Sequence, residues 1–427
     1  MRLCHFEDAH TIWLEPLTLN RPAFELRCGL TTLQAKQSRS LHAPFEGMFL
    51  RDELAPLFKQ QHPEIRVNDL DWLGQETTIL VNSRWLPSSS SSEPIWLPTL
   101  ESHLGLIHGE IAYALLEPEH LRRLSASHLV ESLQELKGKL SHRDAKGRLV
   151  RHLWELVDVN GTEITCDFDQ MKKSAWKPET LSLIGSSENL FVDPSARIDP
   201  LVVADTTNGP VVIDREAVIH SFTRLEGPCY IGPRTQILGA KIRSGTTIGP
   251  ECRIGGEVEA SIIQGFTNKY HEGFLGHSFL GEWVNLGAGV HTSDLRNDYG
   301  KISVILNGQS VSTGRTKIGS YLGDHTKVGL GCLLNSGTNV GVFCNLLPTG
   351  SLLPKNVPSF CWVKYGEVVE GESVDDLFTT AKRVMKRRGQ EFTALHETLY
   401  RELFDELEVL RLQTVQEAAS QRWRKAA

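Results

Sequence analysis

The chain has 427 residues, 40% of them hydrophobic and 23% charged, with a formal net charge of −7. That length exceeds what a single core serves, so two or three domains are expected. The composition excludes global disorder, and the acidic balance argues against nucleic acid or a membrane surface as partner.

No apolar run approaches the roughly 18 residues that span a bilayer. The opening segment Met1–His10 lacks the apolar core of a signal peptide, so a cytoplasmic protein is expected. Eight cysteines are scattered along the chain with no Cys-x-x-Cys pair. Neither zinc binding nor a disulfide framework is expected from that spacing; buried thiols in a reducing compartment are.

In the first 185 residues, Glu76–Asn82 reads as a short strand ending in polar residues, as a parallel strand does at its functional carboxyl edge. His108–Tyr113 suggests a second strand, Leu129–Leu140 a helix and Glu155–Asn160 a further strand. This alternation predicts an α/β domain over residues 1–185. The serine run Ser88–Ser92 is expected to be a loop without chemistry.

From there a six-residue period takes over. Ile213, Ile219, Leu225, Ile231 and Ile237 are six apart, and after a slip of one residue Ile242, Ile248 and Ile254 continue. Phe274, Leu280 and Leu286 form a third run; Leu322, Val328, Leu334, Val340, Leu346 and Leu352 form a fourth. Glycine often follows the aliphatic residue, as at Gly232, Gly249, Gly281 and Gly329. Each unit makes one flat face with its aliphatic residue inward, and three units close a triangular coil of about 18 residues. A left-handed parallel β-helix is therefore expected over residues 186–366. It is interrupted between Val290 and Lys317 by a polar excursion, the usual mounting for binding groups. Beyond it, residues 367–427 read as a helical arm. Ser373 before Asp376 is an N-cap signature, followed by the apolar stripe Leu377, Phe378, Ala381, Val384 and Met385.

Several stretches carry a resemblance. They are Leu17–Gly29 with Lys36, Val81–Pro87, Trp154–Asn160, Gly273–Gly289 and Ser293–Asn297. Together with the layout, they resemble the bifunctional N-acetylglucosamine-1-phosphate uridyltransferase/glucosamine-1-phosphate acetyltransferase, and in particular its divergent bacterial sugar nucleotidyltransferase branch. The resemblance implies a transferase: acetylation of an amino-sugar 1-phosphate by acetyl-coenzyme A, nucleotidyl transfer from UTP, and a homotrimer.

Acetyl transfer needs a base for the amine and a cation for the sugar phosphate. The resemblance puts His271 at the base and His277 one hexapeptide later as a second candidate. It puts Arg243, Phe274, Asn285, Asn297 and Tyr299 at the sugar and Ala288 at acetyl-coenzyme A. Where the family has a second basic pair, near Ser261, Lys269 or Arg253 are the substitutes at hand.

For the nucleotide it implies Arg21, Arg27, Gly29, Lys36 and Asn82. Mg²⁺ is expected for the nucleotidyl half, yet the strand ending Asn82-Ser-Arg84 brings no carboxylate. Asp158, Asn160 and Asp167 are the ligand candidates further on, so the metal ligands stay unassigned. Three readings stay open: both activities, one activity with the other domain inactive, or a trimeric scaffold.

Overall fold

The computed structural model describes residues 1–88, 101–126, 128–171 and 178–426. Residues 89–92 of the serine run lie outside that set. The chain divides into two compact units: Met1–Leu14, Asn20–Leu26 and Thr31–His152 form one, and Glu15–Leu19, Arg27–Leu30 and Leu153–Ala427 the other.

The first unit is built on a seven-stranded sheet. Its elements are β1 (Arg2–Phe6), α1 (Leu33–Leu41), β2 (Phe45–Phe49), β3 (Arg66–Val67), β4 (Thr78–Asn82), β5 (His103–Ile107), β6 (Glu110–Leu116), α2 (Leu129–Leu136) and β7 (Ser141–Asp144). The strand order is β7-β5-β6-β4-β1-β2-β3. β1 runs parallel to β2 and β4, while β6 runs antiparallel to β4 and β5. The unbroken apolar run of β4 follows from burial on both faces. Leu80 joins one core with Leu104 and Leu133; Ile79 and Val81 join another with Trp85 and Tyr113.

The second unit opens with α3 (Leu153–Asp169), which corrects the strand expected over Glu155–Asn160. The β-prone residues there do not alternate. Leu153, Trp154, Leu156, Val157, Asn160, Ile164 and Phe168 are buried at helical spacing, one stripe packed on the β-helix. α3 approaches closely at Gly161, where a Cβ would stand 3.4 Å from Gly245. This helix and strand Leu181–Ile184, both placed in the first domain by sequence, therefore go with the β-helix.

The hexapeptide columns are explicit in the pairing. Ile213, Ile231, Ile248, Ile263, Leu280, Leu322, Val340 and Val357 stack in register through parallel coils. Two expected inward positions are off by one: Leu275 rather than Phe274 stacks on Val258, and Leu353 rather than the exposed Leu352 is buried. A third column is broken chemically, because Lys269 stacks on Ile254 where an aliphatic residue is expected. The excursion carries an antiparallel hairpin, Ser303–Leu306 with Gln309–Ser312.

Along one prism corner the residues adopt left-handed backbone: Phe266 (φ 51°), Trp283 (60°), His325 (60°), Phe343 (54°) and Phe360 (65°). One strained position per coil aligns their rings into a ladder, with Phe266 on Trp283 at 4.4 Å and His325 on Phe343 at 4.5 Å. The arm docks on this ladder. α4 (Val374–Lys386), α5 (Ala394–Glu406) and α6 (Glu408–Ala426) follow the β-helix. Tyr400 meets Phe343 at 4.7 Å and Phe404 meets Phe360 at 5.2 Å. Ser373 caps α4 by accepting from the Asp376 amide, as its sequence predicts. All eight cysteines are free and seven are buried.

Candidate functional site

The irregular turn after Lys269 presents His271. Lys269 is 2% exposed, and its ammonium donates to the carbonyls of Gly255 (2.8 Å), His271 (3.3 Å) and Gly273 (2.6 Å). Burial pushes it down to about 8, against the pull of Glu272 and Glu257. Its three donors are spent on backbone, so Lys269 is not a stand-in phosphate ligand; it pins the turn that carries His271.

His271 itself is exposed beside Tyr270 and lines a cleft of about 530 Å³ with Asn285 and Ala288. The same cleft holds Arg253 and Lys327 from the β-helix and Arg387 and Arg388 from the end of α4. Arg388 donates to the Asn268 carboxamide at 2.7 Å, which ties the arm to the coil. Burial lowers Arg253, helped by the nearby Arg388 charge, and pushes Lys327 down to about 8. The cleft thus gathers four cations beside the stacked Phe266 and Trp283, a combination suited to phosphates attached to a flat base.

His277 stands in different surroundings. Its backbone is left-handed (φ 46°), and its Nδ1 lies 2.6 Å from the Asp294 carboxylate. The two ends of the excursion build this pair: Asp294 lies at its start, and Ile318 at its return donates to the Asp294 carbonyl. Burial raises the Asp294 carboxyl, but the His277 bond and charge, with Lys317 behind them, outweigh it and hold it low. Gly276 is required here, since a Cβ would meet the Phe274 ring at 2.5 Å and Asp294 at 2.6 Å. Lys317 faces Glu259 at 3.7 Å, and Arg243 faces Glu257 at 3.3 Å.

The expected residues therefore fall into two groups: His271, Asn285 and Ala288 at the cleft, and Phe274 with His277 around Gly276. Asn297 and Tyr299 are exposed on the excursion, and Arg243 meets Glu257 on a neighbouring strand. Sequence reasoning missed Asp294, Lys317, Lys327, Arg387 and Arg388. Asp294 lies inside the Ser293–Asn297 motif, where the resemblance points to Asn297 instead. The others become neighbours only through the excursion's return and the arm's docking.

The nucleotide set is divided as well. Arg21, Lys36 and Asn82 are buried in the first unit, whereas Arg27 and Gly29 belong to the second. There the Arg27 Nε donates to the Gln264 carbonyl at 3.0 Å. The Gly29 and Leu30 amides are taken by Asn160 Oδ1 (2.7 Å) and Asp167 Oδ2 (2.9 Å). Gly29 has φ 74°, and a Cβ would meet Asp167 at 2.4 Å. Both amides are thus occupied by α3 side chains, and Asp158 pairs with Arg315 at 2.9 Å. The three metal-ligand candidates are thus structural partners.

Residues 3–175 match the sugar nucleotidyl transferase family model. A bifunctional sugar-1-phosphate nucleotidylyltransferase/acetyltransferase of Sulfurisphaera tokodaii is 32% identical over 161 residues, covering 35% of this chain and 38% of that protein. The bifunctional protein GlmU of Trichormus variabilis is 29% identical over 222 residues, 50% of this chain and 43% of its own length. The chain spans less than half of either relative. The Sulfurisphaera relative is named as a transferase. Among solved structures, the polysialic-acid-specific acetyltransferase NeuO aligns over 50% of this chain and 99% of its own, at 13% identity and a TM-score of 0.29.

Proposed function

We propose that this chain is an acetyl-coenzyme A-dependent N-acetyltransferase of an amino-sugar 1-phosphate, with a first unit that takes the uridine nucleotide of a nucleotidyl transfer. The cleft carries the acetyl-transfer reading. It unites a histidine, four cations and a stacked aromatic wall in one volume of about 530 Å³. The cations suit the donor's phosphates. The sugar amine attacks the thioester carbonyl as a free base, and His271 takes the proton that the new amide bond expels. The tetrahedral oxyanion collapses, the carbon–sulfur bond breaks, and the thiolate leaves as coenzyme A with that proton. Arg243 and Lys317 are the candidate cations for the sugar phosphate, each paired with a glutamate.

A second assignment of the base rests on His277. Asp294 fixes its ring through Nδ1, as an orienting carboxylate does in acid–base pairs, and leaves Nε2 as the proton acceptor.

The family match over residues 3–175 supports the nucleotidyl half, with Arg21, Lys36 and Asn82 as the first unit's candidate ligands. A homotrimer in the cytoplasm is the assembly and place this reading implies. Among the described residues, no helix is long and apolar enough to cross a membrane. Free-thiol release from acetyl-coenzyme A that depends on glucosamine 1-phosphate tests the acetyltransferase. Release without acceptor dependence, or none, leaves a nucleotidyltransferase or a scaffold. Sedimentation as a monomer at micromolar concentration counts against the trimer.

A further inference from the structure

β1 and β4 are parallel neighbours whose last residues, Phe6 and Asn82, stand in register. The crevice past the carboxyl ends of such strands is where α/β sheets take ligands, and where a divalent cation for phosphoryl chemistry would sit. Asp8 lies two residues past β1 and is the carboxylate such an ion needs.

Asp8 is already saturated. Its Oδ1 accepts from Arg84 Nε at 2.7 Å and from the His10 amide at 3.1 Å. Its Oδ2 accepts from Arg84 Nη2 at 2.6 Å and from Asn82 Nδ2 at 2.8 Å. A carboxylate offers about four acceptor positions, and all are used. Arg84 is fully buried, gives Nη1 to the Val150 carbonyl at 2.7 Å and lies 3.6 Å from Glu110. Glu110 in turn meets Arg151 at 2.5 Å. The other amide contact of Asn82 is the Ile111 carbonyl at 3.2 Å, and its Oδ1 accepts the Arg84 amide at 3.0 Å. The side chains of Asp8, Asn82 and Arg84 are thus bonded to one another and to the chain. Among the described residues, no group of three or more His, Cys, Asp or Glu is arranged to hold a metal.

The residues present do not fit a resident Mg²⁺. We infer that Arg84 is the built-in cation of this edge: its guanidinium neutralises Asp8, and nucleotide binding by this unit requires no divalent ion held by the protein. A bidentate guanidinium matches the charge and the two-oxygen geometry that a carboxylate–metal bond would otherwise satisfy. The part concerning nucleotide rests on the nucleotidyl reading above; the part concerning Asp8 does not.

The full-length chain is tested in two arms. Mn²⁺ is titrated into the wild type and Asp8→Asn, with the free-ion electron paramagnetic resonance signal as readout. UTP is titrated by calorimetry with Mg²⁺ and with EDTA. The two Mn²⁺ curves should superimpose, and removing Mg²⁺ should change the UTP dissociation constant by less than about threefold. The inference is overturned if wild type binds Mn²⁺ stoichiometrically and Asp8→Asn weakens it about tenfold, or if EDTA costs UTP more than about tenfold. Should UTP bind under neither condition, the nucleotide reading falls, and the Mn²⁺ curves alone decide the role of Arg84. Should Asp8→Asn fail to fold, the wild-type titrations carry the test.

Discussion

In the β-helix, Lys269 replaces an aliphatic side chain in a stacked column and gives its ammonium to three backbone carbonyls. In the first unit, Arg84 gives its guanidinium to the Asp8 carboxylate, with Glu110 beyond. Both cations are buried, but one is compensated by dipoles and the other by charge. Dipoles offset desolvation only in part, and Lys269 falls to about 8. The carboxylate in bidentate contact with Arg84 is itself held low, against its burial. The first arrangement holds its proton less tightly than an ordinary lysine and shapes a turn at an open cleft. The second is closed, and breaking it strands a charge.

The open side is where catalysis should be lost. His271→Ala should lower acetylation by about 10²–10⁴-fold, the usual share of a general base, with acetyl-coenzyme A affinity nearly kept. Thiol release for His271→Ala and His277→Ala decides between the two bases. If His277→Ala is the more damaging, the Asp294-oriented histidine is the base; if neither matters, the acetyltransferase proposal fails.

The closed side should show in stability. Arg84→Met leaves Asp8 buried without its ion partner and should cost about 3–5 kcal/mol in urea unfolding. A loss under about 1 kcal/mol would mean that solvent compensates Asp8 and that the edge is more open than described.

Lys269→Met should separate dipole from charge compensation. The folded value of about 8 lies below the ordinary 10.5, so between these pH values the unfolded chain holds more protons. Wild-type stability relative to the variant should therefore rise with pH across that window, by no more than about 3 kcal/mol. Comparing the pair cancels the buried thiols, which are pushed up and act oppositely. A gap constant from pH 8 to 10.5 would mean that the three carbonyls compensate the ammonium fully. The smallest effect is expected at the cleft's rim: Arg388→Ala should weaken acetyl-coenzyme A binding by about 1–2 kcal/mol, read by calorimetry.

The same contrast explains what was legible in the sequence. Period-six spacing reports a column directly, because each inward residue meets its counterpart one coil away, as Ile231 meets Ile248. It fails where a neighbour takes the inward place, as Leu275 does from Phe274. The strand expected over Glu155–Asn160 fails for another reason: its β-prone residues are overridden by the packing of α3. His271, Asn285 and Ala288, which line one cleft, lie within one short stretch of sequence. Arg387 and Arg388 join them from a helix about a hundred residues on. Arg84 follows a strand that lacks a carboxylate; the missing carboxylate, Asp8, comes from the loop after β1, more than seventy residues earlier. Pairings of that span leave no local pattern.

The last coil of the β-helix bears on assembly. Cys361–Lys364 pairs with Glu367–Glu370 in antiparallel fashion, reversing the direction that every coil before it keeps. α6 then lies against that final strand, with Val415 and Ala418 on the aliphatic core. A stack of parallel coils ends in unpaired amides and carbonyls, a template on which another chain can grow end to end. The reversed strand changes the hydrogen-bond polarity of that end and the helix covers it. Strand addition onto the face that ends in Glu367–Glu370 is therefore hindered, and removing α6 should increase lengthwise association, read by sedimentation.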